Sequence, residues 1–158
     1  MRADALTILT ELAGDDRLVH VERIPGRAAR HGELETPLDH DVWWSYGLPQ
    51  LWAHQAEAID HARAGRSVVV ATGTASGKSV AYQLPILTAL KADSRSRVLY
   101  LSPTKALGHD QLRAAVALTE AVPALHDVAP SSYDGDSPTD VRRFARERSH
   151  IAYQLATA

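Results

Sequence analysis

No cysteine occurs among the 158 residues, which excludes a disulfide framework, a thiolate metal site and a thiol nucleophile. Uninterrupted apolar runs extend only a few residues, too short for a transmembrane helix. The opening MRADALTILTELAGDD has neither the apolar core nor the small-residue cleavage site of a secretory signal. Charge of one sign is not in excess: 17 Lys+Arg face 19 Asp+Glu, for a net −2. Wholesale electrostatic adhesion to nucleic acid is thereby excluded, and any such contact must be a local patch. Lysine is scarce, with only Lys78, Lys91 and Lys105 beside 14 arginines. No internal repeat or low-complexity tract is visible. What is there is 45% hydrophobic and 23% charged, the balance of one globular domain, and a soluble cytoplasmic protein is the expectation.

Residues 3–13 place Ala5, Ile8, Leu9 and Leu12 at helical spacing, and Gly14-Asp15-Asp16 would stop that helix. Residues 17–50 are irregular and read as an extended arm, whose Trp43, Trp44 and Tyr46 need something to pack on. From residue 50 the pattern turns regular. QLWAHQAEAIDHARAG reads as a helix ended by Gly65, and SVVVAT (67–72) as a buried strand. Lys78 to about Lys91 is helical in composition apart from Pro85. RVLYLS (97–102) reads as a second buried strand, 105–122 as a long helix, 126–133 as a weaker strand and 139–148 as a third helix. Strands alternating with helices through short connections predict a parallel sheet covered by helices, an α/β fold.

Between SVVVAT and the helix that follows lies Thr72-Gly73-Thr74-Ala75-Ser76-Gly77-Lys78-Ser79. Small residues let backbone N–H groups turn inward on phosphates, and the helix N-terminus adds partial positive charge. Lys78 suits the β- and γ-phosphates of ATP, and the Ser79 hydroxyl suits Mg2+. The full phosphate-loop pattern wants glycine where Thr72 stands. The match is therefore to Gly-Lys-Ser within a strand–loop–helix context.

TGTASGKS, followed by AYQLPIL and LYLSPTKALGHDQL, resembles superfamily two helicases of the DEAD/DEAH type. Within them it resembles bacterial helicases that carry a C-terminal zinc-binding region and are associated with mitomycin-lesion repair. Gln55 precedes Lys78 by 23 residues, where such helicases place the glutamine that reads the adenine edge. Pro103-Thr104-Lys105-Ala106-Leu107 is similar to motif Ia, which grips the backbone of the tracking strand. Tyr133-Asp134-Gly135-Asp136 is similar to the next motif, whose glycine lets the chain approach nucleic acid. The likeness covers about residues 17–149. It implies an incomplete RecA-like P-loop NTPase domain over 50–158, preceded by an N-terminal helix and extended arm over 1–49. Apart from the resemblance, a residue such as Thr104, between a strand and a helix, suits a phosphate, and Lys105 adds charge. Contacts of that kind position a strand, most simply a single DNA strand, without reading its sequence.

Two departures shape the functional expectation. Ala75 stands where many DEAD-box proteins have glycine. After RERSH the family would run into a strand and a Thr-Asn-Pro-Asp-like turn, whereas this sequence reads IAYQLATA. The dipeptide Asp-Glu is absent throughout. In this superfamily that pair holds Mg2+ and polarises the attacking water, so no complete catalytic set is expected here. The Ser-Ala-Thr-type coupling motif and the second RecA-like domain with its arginine fingers are absent too. The chain is thus expected to bind ATP and DNA while hardly turning ATP over. It is also expected to be poorly soluble or molten, because SVVVAT would lack neighbouring strands. A non-catalytic regulatory module and a degenerate gene product stay open as alternatives, and a metabolic kinase would explain neither Gln55 nor PTKAL.

Other constellations carry less. The eight histidines form no His-x-His or His-x-x-x-His pair, so metal binding is not expected, and His54 and His61 read as helix-surface residues. Asp134-x-Asp136 lacks the remaining ligands of a calcium loop. No Gly-x-Ser-x-Gly elbow is present. Arg142, Arg143, Arg146 and Arg148 read as a solvated helical face, with DNA-backbone contact as the minority option. Trp43, Trp44 and Trp52 could stack on a base but need no ligand as anchors of the arm.

Overall fold

Leu84, Leu87 and Leu90 recur at helical spacing, and all three are buried in the computed structural model of the chain. That structure describes residues 5–12, 20, 22, 25–26, 28–73 and 75–155. Thr74 and the Gly14-Asp15-Asp16 stop lie outside the described residues. Eleven elements follow one another: α1 (Ala5–Leu12), β1 (His31–Gly32), α2 (His40–Ser45), β2 (Leu51–Trp52), α3 (Ala53–Arg63), α4 (Lys78–Ala92), β3 (Val98–Ser102), α5 (Lys105–Ala121), β4 (Pro130–Tyr133), α6 (Thr139–Glu147) and β5 (Ile151–Leu155). A short 3-10 turn, Pro123–Leu125, separates α5 from β4.

The core gathers Val42 from α2, Ile59 from α3, Val80 and the three leucines from α4, Ala115 from α5 and Ile151 from β5. Burying each of the valine, leucine and isoleucine side chains removes apolar surface from water, contributing roughly 1.5–3 kcal/mol apiece. Trp43 and Tyr46 pack against this cluster, as the arm's aromatics require, while Trp44 remains 63% exposed. Lys91 ties the end of α4 to the arm through Asp41 at 2.6 Å and Asp39 at 2.9 Å. The hydrogen bond from Lys91 holds the Asp41 carboxyl below its ordinary value. Pro85 lies within α4 without ending it.

Three strands form a parallel sheet in the order β3-β5-β4, with Val98 and Pro130 both opposite Ile151. The α/β expectation holds, with helices against the sheet. The two-residue strands β1 and β2 pair antiparallel, His31 opposite Trp52, so the arm begins the structured region earlier than its irregular sequence indicates.

Three sequence-based expectations need correction. SVVVAT is not a strand: among the described residues, 67–73 join no sheet, and Val69 is 93% exposed. A parallel strand is stabilised by hydrogen-bonded neighbours, and β-branched composition without them leaves only an extended segment. IAYQL, read as a departure from the strand the family would have, is itself a strand, and it is the middle one. Strand β3 is buried on one face only. Tyr100 and Ser102 face the core side, whereas Leu99 and Leu101 are 60% and 56% exposed. Its alternation is the period-two signature of a half-covered sheet. No helix among the described residues is long and apolar enough to cross a membrane.

Candidate nucleotide and nucleic-acid sites

The loop before α4 is shaped by two left-handed residues, Ala75 at φ 56° and Gly77 at φ 69°. Glycine adopts that region freely, but alanine does so at a cost of about 1–2 kcal/mol, so the surrounding contacts must hold Ala75 in place. Lys78, the first residue of α4, folds its ammonium back into the loop. It donates to the Thr72 carbonyl at 3.0 Å and to the Gly73 carbonyl, and lies 3.4 Å from Ser76 Oγ. The hydroxyls of Thr72 and Ser76 lie 2.5 Å apart beside it. Ser79 follows, half-buried in the first turn of α4.

Helix α3 braces this loop from the other side. Gln55 is 3% exposed and spans two backbones: its Oε1 accepts from the Trp52 N–H at 2.9 Å, and its Nε2 donates to the Gly77 carbonyl at 3.0 Å. A Cβ on Gly77 would stand 2.5 Å from Gln55 Nε2, so the glutamine amide would have to shift, and the left-handed φ itself favours glycine. His54 Nε2 lies 3.1 Å from the Ser76 carbonyl. Sequence reasoning missed His54, reading it as a surface residue. Its partner lies 22 positions away, and only its place beside Gln55 could have signalled the contact.

These residues suit a nucleotide triphosphate. A lysine whose ammonium is satisfied by carbonyls and hydroxyls can exchange them for phosphate oxygens, and a 15-residue helix begins at the same point. Two clefts flank the loop. One, of about 210 Å3, lies between His54, Glu57, His61 and residues 68–72. The other, of about 680 Å3, is walled by Val68, Val70, Tyr82, Pro85 and Val98, with Lys78 at its margin. Its walls are chiefly apolar, which does not suit a phosphate.

The second group of sequence-selected residues sits at the carboxyl ends of β3 and β4, the side of a parallel sheet where ligands bind. Thr104 caps α5, its Oγ1 accepting from the Leu107 N–H at 3.3 Å. Ser102, only 1% exposed, donates to the Thr104 carbonyl at 2.7 Å and fixes the strand-to-helix turn that contains Pro103. Lys105 reaches across to an ion pair with Asp136, which joins the two motifs, and that contact holds the Lys105 ammonium above its ordinary value. Asp134 accepts from Ser137 Oγ at 2.9 Å and from the Asp136 N–H at 3.0 Å. The Ser137 hydroxyl holds the Asp134 carboxyl below its ordinary 3.8. A Cβ at Gly135 would meet nothing within 4 Å, and its φ lies outside the left-handed region. Among the described residues, nothing demands glycine there.

Known proteins resemble this chain over most of its length. The family model for DEAD/DEAH box helicases matches residues 52–157. ATP-dependent helicase HRQ1 of Saccharomyces cerevisiae is 33% identical over 137 residues, 87% of this chain but 13% of that protein. The uncharacterized ATP-dependent helicase YprA of Bacillus subtilis is 33% identical over 156 residues, 96% of this chain and 20% of its own length. Crystal structures of the DUF1998 helicase MrfA superpose over 97% of the chain. The form bound to DNA gives a TM-score of 0.83 at 29% identity, and the form bound to DNA and AMPPNP gives 0.81 at 30%. The chain spans about a fifth of MrfA and of YprA, and less of HRQ1. The fold is that of part of a RecA-like helicase domain, and the chain belongs to the DEAD/DEAH box helicase family.

Proposed function

We propose that these residues form the ATP- and DNA-binding part of an ATP-dependent DNA helicase. In this reading Thr72 to Ser79, including Thr74, receive the phosphates. Lys78 neutralises the β- and γ-phosphates, and Ser79 binds the Mg2+ that accompanies ATP. When bound, the metal ion would supply charge neutralisation at the phosphates. The observation that carries the reading is the Lys78 ammonium held among the Thr72 and Gly73 carbonyls and the Ser76 hydroxyl, under two left-handed loop residues. Gln55 uses one N–H and one oxygen lone pair on the backbone, and its amide keeps a second of each for an adenine edge.

Pro103, Thr104, Lys105 and Gly135 are assigned to the DNA backbone, most simply of a single strand. The Lys105–Asp136 contact that joins the two motifs supports this, as does a glycine without internal need of its form. A cytoplasmic setting, where ATP and DNA are at hand, belongs to the same reading. So does DNA repair, in keeping with the resemblance of the motifs to helicases associated with mitomycin-lesion repair.

Turnover by the 158-residue chain is a separate matter. The sequence contains no Asp-Glu pair to polarise an attacking water. The chain is therefore assigned binding without hydrolysis. Titrating it with ATP in the presence of Mg2+ tests both parts. Saturable binding that K78A abolishes, with no phosphate released in the presence of single-stranded DNA, is the expected result. Unchanged binding by K78A would overturn the loop assignment, and steady DNA-stimulated release would overturn the absence of turnover.

A further inference from the structure

We propose that His54 is a positioning residue for the phosphate loop, orienting the Gly77 amide toward the phosphates of a bound nucleotide. The inference rests on the ATP reading above and adds a residue which that reading does not use. A trans peptide is planar, so its C=O and N–H point in opposite directions, and no peptide bond among the described residues is cis. Where a carbonyl is drawn toward α3, the N–H that follows it must point away from α3. His54 Nε2 lies 3.1 Å from the Ser76 carbonyl, which fixes the plane carrying the Gly77 N–H. Gln55 Nε2 lies 3.0 Å from the Gly77 carbonyl, which fixes the plane carrying the Lys78 N–H. Two adjacent side chains in the first turn of α3 thus set two successive peptide planes of the loop.

A carbonyl oxygen only accepts, so the His54–Ser76 contact requires a proton on His54 Nε2. The histidine is half-buried and borders two clefts, one of which runs along Val68 to Thr72. It is therefore held by the loop contact rather than by core packing. Its substitution should loosen the loop without unfolding the chain. A loop whose Gly77 amide turns freely offers the phosphates one donor fewer and costs ordering on binding.

The test uses the 158-residue chain with AMPPNP and adenosine as separate probes. H54A should bind AMPPNP about fivefold more weakly, the effect of one hydrogen bond, while its affinity for adenosine is unchanged. H54Q, which restores an N–H donor, should recover most of that loss. Nitrogen-15 NMR of the wild type should find His54 Nε2 protonated. Wild-type affinity of H54A for AMPPNP, equal loss for both probes, or an unprotonated Nε2 would each overturn the proposal. If H54A melts far below the wild type, H54Q and the NMR signal decide in its place. If the wild type binds no AMPPNP, the ATP reading fails, and the proposal built on it fails with it. An Nε2 proton would then show only that the contact itself is real.

Discussion

Replacing Gly77 with alanine perturbs the point where α3 meets the phosphate loop. Alanine at φ 69° costs about 1–2 kcal/mol, of which about 0.4–1 is returned by the stiffer unfolded chain. The larger effect is steric, because the new Cβ would lie 2.5 Å from Gln55 Nε2. Both ends of the buried Gln55 amide are bonded, so moving it clear of the new Cβ gives up its bonds to the Trp52 N–H and the Gly77 carbonyl at about 1 kcal/mol each. The sum for G77A is a loss of about 2–3 kcal/mol. Q55A removes the same two bonds and should cost about 2 kcal/mol. In the double variant the clash no longer exists, so the combined loss should fall about 2 kcal/mol short of the sum of the singles. Urea unfolding followed by tryptophan fluorescence measures all four proteins, given the three tryptophans of the chain. Additivity within about 0.5 kcal/mol, or a neutral G77A, would refute the contact and the reasoning from it.

T104A removes the side-chain cap of α5 and should cost about 1 kcal/mol in the same unfolding assay. K105Q should weaken single-stranded DNA binding alike for every sequence, and should lower the slope of log K against log salt by about 0.7; an unchanged slope would place Lys105 off the phosphates. Asp134 is held below its ordinary 3.8 first by the Ser137 hydroxyl, so its folded value lies under its unfolded one. Its contribution to stability is therefore complete above about pH 5 and is lost as pH falls through the lowered value. An NMR titration should give a midpoint under 3.8 for Asp134, moving upward in S137A. L84A empties a fully buried site in α4 and should cost about 2–5 kcal/mol, whereas V69A, at a side chain 93% exposed, should change stability by no more than about 0.5 kcal/mol.

The helices were legible because their signals are local. The spacing of Ala5, Ile8 and Leu12, Gly65 as the stop after residues 50–65 and the helical composition of 78–91 each act within one or two turns of chain. The loop between residue 72 and α4 was legible for the same reason. Strands were legible only where a partner exists, since pairing joins residues far apart in sequence. SVVVAT has the better strand composition, yet IAYQL is paired on both sides and SVVVAT on neither. The same distance hid the contact of His54 with Ser76 and the ion pair of Lys105 with Asp136, 31 positions apart. Gly135 is the converse case. Its place in Tyr133-Asp134-Gly135-Asp136 was visible, and the structure supplies no internal reason for it.

The middle position of β5 sets an order on assembly. Strands β3 and β4 do not touch as a ladder; each is joined to the sheet only through residues 151–155. While the chain is being made, α3 and α4 can associate first, because both precede residue 93 and pack directly on one another. The sheet has no such early start. Until Ile151 emerges, β3 and β4 are two unpaired edges whose backbone donors and acceptors face water or another chain. A nascent chain stalled before that point would therefore carry a folded helical half and two open strands. Loss of five residues there removes the whole sheet, not one strand of it.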